Sequence, residues 1–357
     1  MSSLQTDFKK FTLQFKKPMR TSRGTLFARD IFILALQNKE RMGLGECAPL
    51  KGLSIDDRSG FEDKLQEVCK LLNQGTNPSD LDLTGWPAIR LGLEAALMDL
   101  ENGGKRLLFE NDFAKGKQTI PTNGLIVMAD KDDMLEQVFN KVNLGFNCVK
   151  TKIGALDFDS ECDFLSEIRK KFLPEQIELR LDANGVFEAD SALDKLQRLA
   201  EFEIHSIEQP IKAGQWQAMA RLCAVIPIPI ALDEELIGIL EPTAKEELLR
   251  TIKPQYIILK PTMVGGLKAS MGWIEFARKL NIGFWVTSAL ESNIGLNIIS
   301  QWASTLNLKI PQGLGTGELF TANFRSPLKI IDGQLTCASS NGWDNLAALA
   351  DLKLTEA

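Results

Sequence analysis

Charged residues recur at the ends of short apolar runs between Cys148 and Lys260, and their spacing restricts this chain more than any other feature. Lys150 and Lys152 stand in CVKTKIG, Asp182 in LRLDANG, Glu208 in SIEQP, Asp233 in IALDEE and Lys260 in IILKP. From Asp182 onward the gaps are 26, 25 and 27 residues. Each run is rich in Ile, Leu or Val, as a buried strand is, and each interval has room for one amphipathic helix. A repeat of strand, charge, loop and helix is the pattern of a β/α barrel, whose functional groups gather where the strands end.

Extending the repeat in both directions gives eight strands. The first is TIPTNGLIV from Thr119, followed by a helix over Lys131–Leu144, the CVKTKI strand and a helix around Ser160–Phe172. Strand ends follow at Asp182, Glu208, Asp233, Lys260 and Ser288, and the last lies near Gly313 in IPQGLGTG. Seven of the intervals can hold a helix. Charges at so many strand ends favour a closed barrel, because an open doubly wound sheet uses loops near one switch point.

The flanks read differently. Residues 1–45 alternate like β-structure through FTLQF and DIFILALQ, with Pro18 and Gly24 marking the turn between them. Two helical stretches follow, one ending at Gly75 and one running from Pro87 to Gly103–Gly104. The segment Pro18–Leu26 is polar and suits either a surface loop or a loop covering a substrate. The expected organisation is an α+β unit over 1–117, a barrel over 118–324 and a segment 325–357 returning to the first unit. LKIIDGQLTC in that last segment reads as a hairpin.

Composition removes several function classes. The net charge of −6 gives no electrostatic attraction to nucleic acid or to anionic lipid. No apolar run approaches the roughly 20 residues of a membrane-spanning helix, and MSSLQTDFKKF lacks a signal-peptide core. The six cysteines are scattered with no C-x-x-C pair, which speaks for reduced thiols in the cytoplasm and against a cysteine zinc site. The single histidine, His205, would have to serve any Ser-His-Asp triad or His-based metal site. Lying three residues before Glu208, it should face away from the barrel interior and be structural.

Asp182, Glu208 and Asp233 end consecutive strands, so their carboxylates should meet at one rim. One such residue alone would be an ordinary helix N-cap. Three together repel unless a cation neutralises them, and an all-oxygen set without Cys or His selects Mg²⁺ or Mn²⁺ over Zn²⁺. Lys150 and Lys152 lie two apart and face the same way; read alone, the pair would be solvated. In register with the carboxylates, two adjacent ammonium groups near a divalent cation lower each other's pKa, which a lysine base requires. Lys260 lies three units beyond the Asp182 strand, nearly across the barrel mouth. A metal flanked by lysines suits proton removal next to a carboxylate, with the developing enediolate stabilised by the cation.

KTK at 150–152, DANG at 182–185, EQP at 208–210, DEE at 233–235 and LKP at 259–261 resemble the enolase superfamily, and within it the muconate-lactonising-enzyme-like subgroup. The resemblance implies a modified (β/α)7β TIM-type barrel with an α+β capping domain built from both ends of the chain. It implies metal ligands Asp182, Glu208 and Asp233, a general acid/base Lys152 supported by Lys150, Lys260 on the opposite face, and Asn184 beside the ligands. SALESNIGL at 288–296 and PQGLGTGELFTANF at 311–324 resemble the o-succinylbenzoate synthase family of menaquinone biosynthesis. That implies a small carboxylate substrate seated by Ser288, Gly313 and Gly315, although a plain Gly-rich turn explains GLGTG equally well. The reaction implied is syn dehydration of 2-succinyl-6-hydroxy-2,4-cyclohexadiene-1-carboxylate. N-acylamino-acid racemisation and dipeptide epimerisation are the alternatives in the superfamily. Epimerases of this kind carry an Asp-x-Asp pair at the eighth strand, where this chain has only Glu318. A catalytically silent barrel is disfavoured by the complete set of charged positions.

Overall fold

The computed structural model describes residues 4–21, 24–154, 156–338, 342–344 and 349–356. The tip of the Pro18–Leu26 segment (Ser22–Arg23) and positions 339–341, 345–348 and 357 of the expected C-terminal segment lie outside the described residues.

An antiparallel sheet comes first, built from β1 (Gln5–Thr21), β2 (Gly24–Gln37) and β3 (Met42–Cys47) in that order. Most of the expected Pro18–Leu26 loop is therefore strand. β1 and β2 continue as a hairpin arm, with the register shifting between Gln14 and Met19 around Pro18, which cannot donate to a ladder. The sheet is covered on both faces. Phe32, Leu34 and Leu36 point to α1 (Phe61–Asn73) and α2 (Pro87–Glu101), whereas Ile31, Ile33 and Ala35 meet Leu13, Ile294 and Phe320. The second contact is how this unit caps the barrel.

Glycines set the distance between sheet and helix. A Cβ on Gly45 would lie 1.8 Å from the Gly92 carbonyl oxygen, and one on Gly43 would lie 2.1 Å from that of Ala96. The GLG in MGLGEC thus marks a strand pressed against helix backbone. Asp56 bridges the loop before α1 to the start of α2: its Oδ2 accepts from Ala88 N at 2.8 Å, while Oδ1 is buried with no hydrogen-bond partner. Burial pushes this carboxyl up to about 7. The folded chain then keeps the proton while the unfolded chain releases it near pH 4, so this group's stabilising contribution falls as pH rises from about 4 to 7. Asp56→Asn should flatten that slope by up to about 1.4 kcal/mol per pH unit, measured by urea unfolding of both proteins between about pH 4.5 and 7.5.

The barrel follows. After β4 (Ile120–Pro121) come β5 (Gly124–Ile126), α3 (Lys131–Asn143), β6 (Cys148–Lys152), α4 (Phe158–Lys171), β7 (Glu178–Asp182), α5 (Ala192–Ala200) and β8 (Ser206–Glu208). The second half holds α6 (Trp216–Val225), β9 (Ile230–Leu232), α7 (Pro242–Ile252), β10 (Tyr256–Leu259), α8 (Pro261–Val264), α9 (Gly266–Lys279), β11 (Gly283–Val286) and α10 (Asn293–Thr305). β5 through β11 form one seven-stranded parallel sheet in chain order. Gln312 and Gly313 join its edges: Gln312 bridges to Thr122 and Gly313 to Thr287, both in parallel. The expected eighth strand is thereby reduced to two residues. Gly313 is required there, because a Cβ would lie 2.2 Å from Thr287 Oγ1.

Past the barrel, β12 (Ala322–Asn323) pairs with the terminal β15 (Thr355–Glu356). The hairpin β13 (Leu328–Ile331) and β14 (Gln334–Cys337) turns at Asp332–Gly333, both at positive φ, and pairs with β4 at the N-terminal end of the barrel. The end of the chain reaches the cap, where Leu352 is buried against the first sheet and its carbonyl accepts from Lys9 Nζ at 3.0 Å. Among the described residues no helix is long and apolar enough to cross a membrane.

Candidate active site

Strand register brings the charged residues together. Lys152 pairs with Asp182 across β6 and β7, and Asp182 with Glu208 across β7 and β8, which sets their Cα atoms about 4.8 Å apart. Asp233 and Lys260 directly follow β9 and β10. Around the rim the order is therefore lysine, three carboxylates, lysine. Lys150, Lys152, Asp182, Asn184, Lys260, Ser288, Gly313 and Gly315 all line one cavity at the C-terminal ends of the strands. Glu208 and Asp233 do not line it; they are 0% and 2% exposed and lie beneath the ammonium groups.

The turns that aim these groups are strained in a consistent way. Asn184 (φ 45°) and Gly185 (φ 73°) reverse the chain after Asp182, and Asn184 N donates to Asp182 Oδ1 at 3.1 Å. Gln209 (φ 38°) accepts from the backbone N–H groups of Asp233 and Glu235 at 3.2 and 3.3 Å, which orients the loop after β9. The DANG and EQP motifs thus place side chains from one strand against the next.

Carboxylates and ammonium groups interleave. Lys150 Nζ lies 2.5 Å from Glu208 Oε2 and 3.2 Å from Asp182 Oδ2. Lys152 Nζ lies 3.4 Å from Asp182 Oδ2 and donates to Asn184 Oδ1, and Lys260 Nζ donates to Asp233 Oδ2. Burial pulls the Lys150 ammonium down, but Asp182, Glu208 and Asp233 outweigh it and hold it above the ordinary lysine value. Lys260 is likewise held up against burial by Asp233 and Glu234. Asp182 resists burial and stays below the usual carboxylate range through Lys150, Lys152 and Lys260. Glu208 is pushed up to about 7 by burial, with Asp182 and Asp233 adding to it.

Among the described residues no three acidic, histidine or cysteine side chains are already gathered as a metal cage. The donor set nevertheless fits a hard divalent cation. Glu208 Oε1 and Glu234 Oε2 are buried without a hydrogen-bond partner, and all available donors are carboxylate oxygens. When all are ionised, the four carboxylates Asp182, Glu208, Asp233 and Glu234 exceed the three ammonium groups by one negative charge.

Several cavity residues escape a reading of the sequence. Glu234, next to Asp233, accepts from Asn184 Nδ2 at 3.0 Å and so belongs to the chain of contacts from Lys152; the second letter of DEE was its only sign. Met19, Leu26 and Leu50 reach the cavity from the cap, and Trp285 and Leu290 from the barrel. His205 lies before β8, at the far end from the site, with Nδ1 3.0 Å from Ser206 Oγ and its ring 5.4 Å from that of Tyr256. It does not face the helices as alternation suggested, because Tyr256 in turn packs on Trp285 inside the barrel.

Residues 133–343 match the family model described as enolase C-terminal domain-like, and residues 5–100 match that of the MenC N-terminal domain. The curated o-succinylbenzoate synthase of Desulfotalea psychrophila is 42% identical over 94% of this chain and 99% of its own length. The chain belongs to the o-succinylbenzoate synthase family of the enolase superfamily. The crystal structure of MenC from Desulfotalea psychrophila superposes with a TM-score of 0.84, at 39% identity over 94% of this chain and 100% of that one. The L-Ala-D/L-Glu epimerase of Bacillus subtilis is 21% identical over 85% of this chain and 86% of its own. Enolase-superfamily enzymes depend on a divalent metal. Members of the o-succinylbenzoate synthase family are carbon–oxygen lyases acting on a small carboxylate.

Proposed function

We propose that this chain dehydrates 2-succinyl-6-hydroxy-2,4-cyclohexadiene-1-carboxylate to o-succinylbenzoate, with Lys152 as the acid/base. The observation that carries the reading is the placement of Lys152 and Lys260 at the two ends of one row of carboxylates, in a chain 42% identical to a curated o-succinylbenzoate synthase.

Asp182, Glu208 and Asp233 would hold Mg²⁺, or Mn²⁺ in its place, and the bound cation offsets the negative charge that develops on the substrate carboxylate. Lys152, as the free amine, takes the α-proton onto Nζ, where Asn184 Oδ1 fixes its direction. The C–H electron pair passes into the carboxylate as an enediolate. Lys260 faces that enediolate from the other side and steadies it by charge alone. The Lys152 ammonium then returns its proton to the departing hydroxyl, the C–O bond breaks, and water leaves on the face from which the proton came. Lys150 stays protonated between Asp182 and Glu208 and shares Asp182 with Lys152. The apolar side chains Leu26, Leu50 and Leu290 suit the ring. Ser288, Gly313 and Gly315 suit the succinyl arm. The six unpaired cysteines agree with a cytoplasmic setting.

Racemisation of N-acylamino acids uses the same two lysines. Epimerisation of dipeptides needs an anion for the substrate ammonium near the eighth strand, and the nearest candidate, Glu318, is exposed and absent from the cavity wall. Purified protein with Mg²⁺ should form o-succinylbenzoate from the cyclohexadiene carboxylate, and EDTA should lower the rate at least about 10³-fold. Faster turnover of N-succinyl amino acids or dipeptides would overturn the assignment.

A further inference from the structure

The loop after β11 is held in shape from outside the barrel. Leu290, which lines the cavity, has a left-handed backbone (φ 65°), a conformation that is unfavourable for a non-glycine residue and persists only where its surroundings enforce it. Leu290 N donates to Ser288 Oγ at 3.0 Å, and Ser288 Oγ is 2.6 Å from Thr316 Oγ1. Much of the remaining enforcement comes from the cap.

Arg29, on β2, is 4% exposed, and its guanidinium donates to the carbonyls of Ala289 in the loop and Ala48 in the cap. Glu46, on β3, accepts from Ser292 N at 3.0 Å, from Ser292 Oγ and from Gly295 N at 2.9 Å. Glu291, 1% exposed, accepts from Ala289 N at 2.6 Å and from Thr262 Oγ1, two residues past Lys260. A Cβ on Gly295 would come within 2.9 Å of both Glu46 Oε2 and Glu291 Cγ, so the cluster also dictates that glycine. One buried guanidinium thus stands among two buried carboxylates, linking cap strands to the backbone on which Ser288 and Leu290 are mounted. Docking alone would be served by apolar contacts, since buried charges are costly even when paired. Fixed hydrogen bonds to particular carbonyl and N–H groups impose one backbone path.

We propose that Arg29, acting beside Glu46 and Glu291, is a positioning residue that sets the Ser288–Leu290 loop against the substrate and thereby determines substrate affinity from the cap. The proposal rests on the reading above that this cavity takes the cyclohexadiene carboxylate. Steady-state kinetics with that substrate at saturating Mg²⁺ test it, alongside Mg²⁺ activation curves and thermal melts. Arg29→Met should raise KM about 10–100-fold with kcat within about 3-fold and unchanged Mg²⁺ half-activation, because the loop shifts while the lysines and carboxylates stay. Arg29→Lys should restore part of the loss, since one ammonium can hold only one end of the link. A folded Arg29→Met enzyme with the unsubstituted KM would overturn the proposal. Should Arg29→Met fail to fold, Arg29→Lys and Glu46→Gln decide: a raised KM with kcat kept supports the role, and a lowered melting temperature with unchanged KM overturns it. An unsubstituted enzyme inactive on the diene carboxylate would remove the functional reading, and this proposal with it.

Discussion

Replacing Lys152 by alanine should abolish dehydration, by about 10³-fold or more, while leaving the chain folded and able to bind its cation. Lys152 is asked to act twice, first as base toward the α-proton and then as acid toward the departing hydroxyl, so no later step can bypass its loss. Its side chain is 18% exposed and its partners are Asp182 and Asn184 Oδ1. Asp182 keeps Lys150 at 3.2 Å after the substitution, so the carboxylate is not stranded. The melting temperature should therefore move by only a few degrees. Lys152→Arg separates two explanations, because it retains the charge but cannot act as a base near neutral pH. Both variants should be inactive by the same assay, with cation binding confirmed by Mn²⁺ titration. An active arginine variant would mean that charge at this position suffices, and a fully active alanine variant would remove Lys152 as the base.

Gly45→Ala should disrupt the cap, costing more than about 3 kcal/mol, toward the exceptional end for a single substitution. The new methyl carbon would lie 1.8 Å from Gly92 O and 2.7 Å from Gly92 C. These are backbone atoms of α2, so no rotamer change can make room, and strand and helix must separate. The expected result is an earlier, less cooperative urea transition, with loss of turnover because Met19, Leu26 and Leu50 of the cap line the cavity. Gly75→Ala is the control: φ there is 90° but nothing lies within 4 Å of the added carbon, so only the backbone cost of about 1–2 kcal/mol applies. Equal effects of the two substitutions would show that strand and helix part without the cost that the close contact at Gly45 demands.

The barrel strands and charged candidates were legible because both follow local rules. A strand's two-residue alternation and an interval of about 26 residues are visible in a single chain, and they place Lys150, Lys152, Asp182, Glu208, Asp233 and Lys260 in register without tertiary information. The closing strand was legible only as a position, since Gln312 and Gly313 are too few to show alternation. The hairpin arm read as a loop because Pro18 and Gly24 look like turn residues, whereas the ladder continues past Pro18 by a shift of register.

By itself, then, the sequence determined which groups meet at the barrel rim, because parallel strands in register bring equivalent positions together. The tertiary structure decided what those groups touch. Carboxylates near three lysines pair with them, so each ammonium lies against a carboxylate. It also decided who builds the rest of the site. Arg29 and Ala289 are 260 residues apart, and Glu46 and Ser292 are 246 apart. No periodicity connects such positions; they meet only because the apolar face of the cap sheet is buried against the barrel mouth.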